Sequence, residues 1–272
     1  MLVRNGDRVL NPVRRGMAPL ATRKTGRQDQ EQSVQVVILA AGMGTCLGRE
    51  DPKPLTQLRD GRSILQRQLD GLRAVLGEDV CVTVVVGYRS KRIMKSSPYL
   101  LFAYNPDFAE TNTSKSLLRG LRTTREGGVL WLNGDVVFDP AVIELALPTI
   151  AADESFVCVD TNTVADEEVK YTLDADGYVQ ELSKTVVGGL GEAVGINYVS
   201  SADKATLIDH LTACGDQDYF ERGIETAIAT EGLKVRAVDI SQYSAVEVDF
   251  ETDLARANSL FSVKKNTVAD VG

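Results

Sequence analysis

The sequence predicts an α/β fold: a mostly parallel sheet flanked by helices, with a small additional lobe. From Val34 onward, short apolar runs alternate with amphipathic stretches, the pattern left by strands joined through crossover helices. Beyond Ser155 the pattern shifts to short strands with hairpin signals, which marks the lobe. A chain of 272 residues is long enough to bury one full core, so no second fold is required.

The elements follow in order. Residues 34–39 are the first strand. Ser63 to Gln66 has the S-x-x-Q form of a capping box, and the spacing of Ile64, Leu65, Leu69, Leu72 and Leu76 predicts a helix packed on the sheet. Residues 80–86 and 100–104 are the second and third strands. Ser114 caps a helix over 114–125, and residues 129–132 form a fourth strand that ends at Asn133, Gly134 and Asp135. Asp139 before Pro140 opens another helix. In the lobe, 174–177 is a hairpin turn, followed by helices over 201–214 and 219–230 and a last helical run over 252–260. Trp131 reads as core, and His210 as a packing or surface residue of its helix.

Composition narrows the function. A net charge of −8 argues against a general nucleic-acid binder, which neutralises many phosphates with clustered lysines and arginines. No apolar run approaches the ~18 residues of a spanning helix, so no membrane partner is expected. Cys46, Cys81, Cys158 and Cys214 are far apart, which suggests neither a zinc site nor a disulfide framework and fits a cytoplasmic location. A single histidine excludes a His-rich metal site and gives a Ser-His-Asp triad little support. Residues 1–33, with seven Arg and Lys side chains against few acids and no apolar period, are expected to be a disordered basic extension. The working domain is placed at 34–262 and a tail at 263–272, with a homodimer left open.

Leu39, Ala40, Ala41, Gly42, Met43, Gly44 and Thr45 leave the first strand as a run of mostly small residues, whose backbone N–H groups can approach an anion closely. The run is not a P-loop, and it misses the dinucleotide fingerprint because Gly48 falls one place late. Lys53 follows between Pro52 and Pro54, stiffened and within reach of the same phosphates. Asp135 ends an apolar strand, and the carboxyl ends of parallel strands face the ligand crevice. Thr111 to Ser116 is polar and lies at a helix start, where backbone donors are unpaired.

The segment L-A-A-G-M-G-T followed by P-K-P-L resembles the nucleotidyltransferase superfamily of sugar-phosphate nucleotidyltransferases and phosphocholine cytidylyltransferases, whose signature is L-A-A-G-x-G-[ST]-R with P-K-[PA]-L. The resemblance extends more loosely from Val34 to about Phe261. It implies a Rossmann-like sheet and assigns a Mg²⁺ ligand to Asp135, with Asp249 as the second through the V-E-V-D segment. It places Asn112, Thr113 and Ser114 on the base and ribose, and Lys184, with Lys170 as second choice, on the acceptor phosphate. Glu192 and Glu221 fall in segments that resemble the acceptor-binding parts of cytidylyltransferases, where carboxylates and aromatics suit an ammonium. At the position of the signature arginine this chain has Cys46, and Arg49, three residues on, is the candidate replacement guanidinium.

The activity implied is transfer of CMP from CTP, or another nucleoside triphosphate, to a small phosphate or phosphonate such as phosphocholine or 2-aminoethylphosphonate. A sugar-1-phosphate nucleotidyltransferase and, from the Cys46 departure, a catalytically impaired nucleotide-binding regulatory protein are the alternatives.

Overall fold

The computed structural model describes residues 34–44, 48, 50–162, 164 and 168–260. The basic extension expected over 1–33, the tail over 263–272, and Thr45, Cys46 and Arg49 of the loop lie outside the described residues.

Three crossovers build the first half. Strand β1 (Gln35–Ala40) leads through a 3-10 turn (Lys53–Leu55) into α1 (Ile64–Leu76), then β2 (Cys81–Val86), α2 (Ser90–Ser96), β3 (Leu101–Tyr104), α3 (Thr113–Leu121) and β4 (Val129–Asn133). Strands β5 (Val136–Phe138), β6 (Phe156–Asp160), β7 (Lys170–Leu173), β8 (Val179–Ser183) and β9 (Glu192–Val199) follow, with α4 (Ala141–Ala151) between β5 and β6. The chain closes with α5 (Lys204–Ala213), α6 (Phe220–Glu231), β10 (Arg236–Asp239), β11 (Ala245–Glu247) and α7 (Glu251–Leu260).

The main sheet runs β10-β6-β9-β4-β1-β2-β3. Strands β4, β1, β2 and β3 are parallel, whereas β9 lies antiparallel between β4 and β6. The α/β class expected from sequence is therefore the observed one, a Rossmann-like mixed sheet. The lobe turns out to be continuous with it: β6, β9 and β10 extend the same sheet, and the β7–β8 hairpin, turned at 174–177, branches off beside β9.

Because side chains alternate along a strand, β1 feeds two cores. Val36 and Ile38 pack with Leu65, Leu69 and Leu72 of α1 and Val142 and Ile143 of α4. Val37 and Leu39 pack with Leu117 of α3, Leu207 and Leu211 of α5, and Phe220 and Ile224 of α6. Trp131 is buried as expected, and Phe220 meets it edge-on with ring centroids 5.6 Å apart. Nδ1 of His210 lies 2.9 Å from the Thr226 hydroxyl, so the imidazole joins α5 to α6.

The capping box at Ser63 forms in both directions: Ser63 Oγ accepts from the Gln66 N–H and Gln66 Oε1 accepts from the Ser63 N–H. Helix α3 differs from expectation. Its N-cap is Asn112, whose Oδ1 accepts from the Thr113 N–H at 2.8 Å, and it ends at Leu121 rather than at 125. Ser114 could not serve as the cap because its side chain turns into the core. At the far end, Thr123 and Thr124 each return their hydroxyl to a carbonyl three residues back and close the last turn early.

No helix among the described residues is long and apolar enough to cross a membrane. Truncating Phe220 to Ala is expected to cost about 3–5 kcal/mol of stability, read as a lowered midpoint in urea denaturation, because the ring joins α6 to the sheet through Trp131.

Candidate active site

Strand order reverses between β1 and β4: the chain steps outward through β2 and β3, then crosses back to the other side of β1. Such a reversal leaves a crevice at the carboxyl ends of the two diverging strands. The last register pair there is Leu39 with Asn133, and the next residue, Gly134, donates its N–H to the Leu39 carbonyl at 2.8 Å. Only glycine fits, since a Cβ at Gly134 would lie 2.5 Å from that carbonyl oxygen.

Beyond Gly134 the chain turns sharply into β5. Gln68 of α1, buried, fixes that turn by donating to the carbonyls of Asn133 and Val136, both at 2.8 Å. Strand β11 pairs antiparallel with β5, setting Glu247 opposite Val136, and the Val248 N–H reaches the Asp135 carbonyl at 3.1 Å. Asp249 therefore arrives beside Asp135 although 114 residues separate them in sequence. Asp253, one turn into α7, accepts from the N–H groups of Asp249 and Phe250 and holds the connecting turn. The Asp249 side chain is thus free to face the crevice.

Lys53 meets both carboxylates. Its Nζ lies 3.0 Å from Asp135 Oδ2 and 2.5 Å from Asp249 Oδ1, with the three side chains 11 %, 21 % and 39 % exposed. Burial works against the ammonium, but the two carboxylates outweigh it and hold its pKa above the ordinary lysine value. The glycine loop rests on the same lysine, since a Cβ at Gly44 would come within 3.2 Å of Lys53 Cβ.

A cavity of about 170 Å³ opens at this point. Of the residues expected to bind nucleotide, Leu39, Ala40, Ala41, Gly42, Gly44, Lys53 and Thr113 line it, as does Asp135. Met43 is exposed beside it and does not line it. Asn112 is occupied as the α3 cap, and Ser114 is buried away from the cavity. Ser116 lines it instead, three residues after Thr113 and so on the same helix face. That spacing was the signal available in the sequence.

Glu247, two residues before Asp249, is a wall of the cavity. Val246 packs into the apolar cluster under α7, so alternation turns Glu247 the other way, inward. Burial first, then the charges of Asp135 and Asp249, push its carboxyl well above the usual carboxylate range, against the pull of Lys53. Asn133 Nδ2 donates to Glu247 Oε1 at 3.3 Å.

A second cavity of about 90 Å³ shares Thr113, Asn133 and Glu247 with the first. Lys184 and Glu221 line it together with Glu168 and Tyr219, and the Lys184 ammonium stands 4.9 Å over the Tyr219 ring. Glu192 and Lys170 face each other as register partners of β9 and β7 and line neither cavity.

Magnesium is the ion that the sequence resemblance implies. Among the described residues no group of three His, Cys, Asp or Glu side chains is arranged to hold a metal ion by itself. Two carboxylates that converge on one cationic centre, beside a cavity large enough for phosphates, do suit a hard divalent ion whose other ligands are substrate oxygens and water. The donor set fits an ion that arrives with its nucleotide.

The Lys53 bridge carries a measurable coupling. A double-mutant cycle of Lys53→Met and Asp135→Asn, followed by urea denaturation, is expected to return about 1–3 kcal/mol.

Comparison with known proteins bears on the fold and the family. The chain is 29 % identical over 84 % of its length to the CMP-5'-(3-aminopropyl)phosphonate synthase of Streptomyces rubellomurinus. It is 24 % identical over 85 % of its length to the bifunctional protein GlmU of Neisseria meningitidis. It spans only 39 % and 52 % of the length of these two relatives. Among solved structures, the inositol-1-phosphate CTP transferase from T. maritima superposes with a TM-score of 0.69 at 16 % identity, covering 84 % of this chain and 96 % of that one. The CTP:phosphocholine cytidylyltransferase LicC from Streptococcus pneumoniae gives 0.64 at 16 % identity, with coverage of 84 % and 99 %. These two likenesses establish the fold. Residues 36–218 match the family model of the MobA-like NTP transferase domain. With that match spanning the glycine loop, Lys53 and Asp135, the chain belongs to the MobA-like NTP transferase family, whose chemistry is nucleotidyl transfer.

Proposed function

We propose that this protein is a cytidylyltransferase that moves CMP from CTP to a small phosphate or phosphonate acceptor, phosphocholine- or 2-aminoethylphosphonate-like, and releases pyrophosphate. The observation that carries the reading is the Lys53 ammonium between Asp135 and Asp249, at the edge of a cavity lined by the glycine loop. Cytidine as the base is supported by the names of relatives: a CMP-phosphonate synthase, a CTP transferase and a CTP:phosphocholine cytidylyltransferase.

The reaction is an in-line displacement. An acceptor oxygen forms a bond to the α-phosphorus as the bond to the bridging oxygen breaks, and pyrophosphate departs with that electron pair. The acceptor oxygen is already anionic, so no side chain is required as general base. Catalysis is then positioning and charge neutralisation. The N–H groups of the glycine loop and Lys53 hold the triphosphate, Thr113 and Ser116 face the nucleoside, and Lys184 takes the acceptor phosphate. Asp135 and Asp249 would hold Mg²⁺, which when bound neutralises charge on the reacting phosphates. Lys53, at the same centre, would place its ammonium on the triphosphate. Arg49 supplies the guanidinium that Cys46 cannot.

Pyrophosphate release, measured for the four ribonucleoside triphosphates against choline-, aminoethylphosphonate- and sugar-type acceptors, tests the reading. CTP with a phosphate or phosphonate is expected to give the highest rate. Activity only with UTP would transfer the chain to the sugar-1-phosphate enzymes, and CTP binding without any pyrophosphate would make it a regulatory nucleotide binder.

Two variants test the roles. Lys53→Met is expected to lower kcat roughly 10²- to 10³-fold, with the fold intact by circular dichroism. Cys46→Arg is expected to raise kcat and Arg49→Ala to lower it; an unchanged rate in the second rules out compensation by Arg49.

A further inference from the structure

Thr113 and Ser116 lie one turn apart on the face of α3 that lines the first cavity, and an N–H donor approaches each hydroxyl from behind. The Phe220 N–H donates to Thr113 Oγ1 at 3.1 Å, and Asn105 Nδ2 donates to Ser116 Oγ at 3.2 Å. Asn105 lines neither cavity. It follows β3, is fully buried, and has its own N–H tied to the Val86 carbonyl at 2.9 Å.

The Asn105 amide can sit only one way round. Its Oδ1 accepts from Arg119 Nε at 3.0 Å and from the Asp107 N–H at 3.2 Å, and both of those partners can only donate. Arg119 also holds Asp107 Oδ2 at 2.7 Å, which closes this side of the amide. Nδ2 therefore faces two hydroxyls, Ser116 Oγ and, at 3.1 Å, Thr111 Oγ1. Thr111 passes its own hydrogen to the Asp107 carbonyl at 2.8 Å. Ser116 has no such outlet: among the described residues its hydroxyl meets Asn105 alone, and it does not fold back onto a helix carbonyl as Thr123 and Thr124 do. Its hydrogen is left to the cavity, as is that of Thr113, whose hydroxyl meets only the Phe220 N–H among the described residues.

This wall thus offers two hydroxyl donors that call for acceptors. Of the pyrimidines, cytosine carries adjacent acceptors at O2 and N3, whereas uracil carries a hydrogen on N3. Opposite uracil, Ser116 Oγ would receive two N–H donors while its own hydrogen stayed unpaired in a buried wall, and an unpaired buried donor is costly. We propose that Asn105 is a positioning residue for base selection: by donating to Ser116 it turns the hydroxyl hydrogen toward N3 of the base, so that the first cavity prefers cytosine to uracil. The role rests on the cytidylyltransferase reading only in setting the base against Thr113 and Ser116.

Replacing Asn105 by Asp reverses the sense of the contact with little change of shape. The carboxylate keeps Arg119 and the Asp107 N–H as donors, takes the Ser116 hydrogen, and leaves a serine lone pair facing the cavity. That is the sense a uracil N3–H needs. An asparagine that only supported the fold would, when replaced, change the affinity for both pyrimidine nucleotides by the same factor.

Titration calorimetry of the full chain with Mg²⁺ and CTP, UTP or the triphosphate of 2-pyrimidinone riboside tests the proposal. The last of these keeps the O2 and N3 acceptors of cytosine and lacks the 4-amino group. The parent protein is expected to bind UTP roughly tenfold more weakly than CTP, and the pyrimidinone nucleotide within about threefold of CTP. Asn105→Asp is expected to bring CTP and UTP within about twofold of each other, or to reverse their order, even where the added charge weakens both. Ser116→Ala is expected to level the two with the fold intact by circular dichroism. The proposal is overturned if Asn105→Asp leaves the ratio of CTP to UTP affinity unchanged, if the pyrimidinone nucleotide binds as weakly as UTP, or if Ser116→Ala keeps the parent's preference. Should Asn105→Asp not fold, the other two results decide. Pyrophosphate release from CTP and 2-aminoethylphosphonate on the same samples reports separately on transfer. A CTP preference that ignores both variants leaves the cytidylyltransferase reading standing and sinks the role of Asn105, whereas a preference that follows them without pyrophosphate does the reverse.

Discussion

One ammonium holds the active end of this molecule together. Lys53 is shared by Asp135, which follows β4, and Asp249, which follows β11, and the glycine loop leaving β1 leans on its side chain. Three chain segments, leaving β1, β4 and β11, meet at a single charge. Without it, two carboxylates would face each other across a mostly buried space, with Glu247 behind them, and repulsion at that distance in a medium less polar than water is severe. The lysine reconciles that clustered negative charge.

Strand order makes that meeting possible. The reversal between β1 and β4 opens a gap at their carboxyl ends, and Gly134 lets the backbone leaving β4 pass against the Leu39 carbonyl before it turns. The small β5–β11 pairing then carries Asp249 back from the far end of the chain. Gln68 and Asp253 stiffen the two turns that bear the aspartates, so the carboxylates are held by hydrogen-bonded backbone rather than by loose loops.

The two cavities share a wall and differ in character. The first presents backbone and small side chains with a central cation, a surface suited to phosphates. The second, among the described residues, presents Glu168, Glu221 and Glu247 with Lys184 in a smaller space.

The sequence alone determined the α/β class, the helices of the first and third crossovers, the capping box at Ser63 and the pairing of glycine loop with Lys53, because these depend on local periodicity and on residues close in sequence. It also picked out Asp135 and Asp249 as the carboxylates to watch, through a family resemblance rather than through spacing. Tertiary structure decided what depended on distant partners. The cap of α3 passed from Ser114 to Asn112 because the core claimed the Ser114 side chain, and Ser116 took the cavity face as a result. Glu247 is a wall of the first cavity because β5 pairs with β11 and fixes which way it turns. Lys170 and Glu192 were plausible by neighbourhood, yet the β7–β9 register set them against each other and away from both cavities. The burial of Glu221, with Oε2 lacking a hydrogen-bond partner among the described residues, was written in no motif, since it follows from Phe220 packing on Trp131 across more than eighty residues of chain.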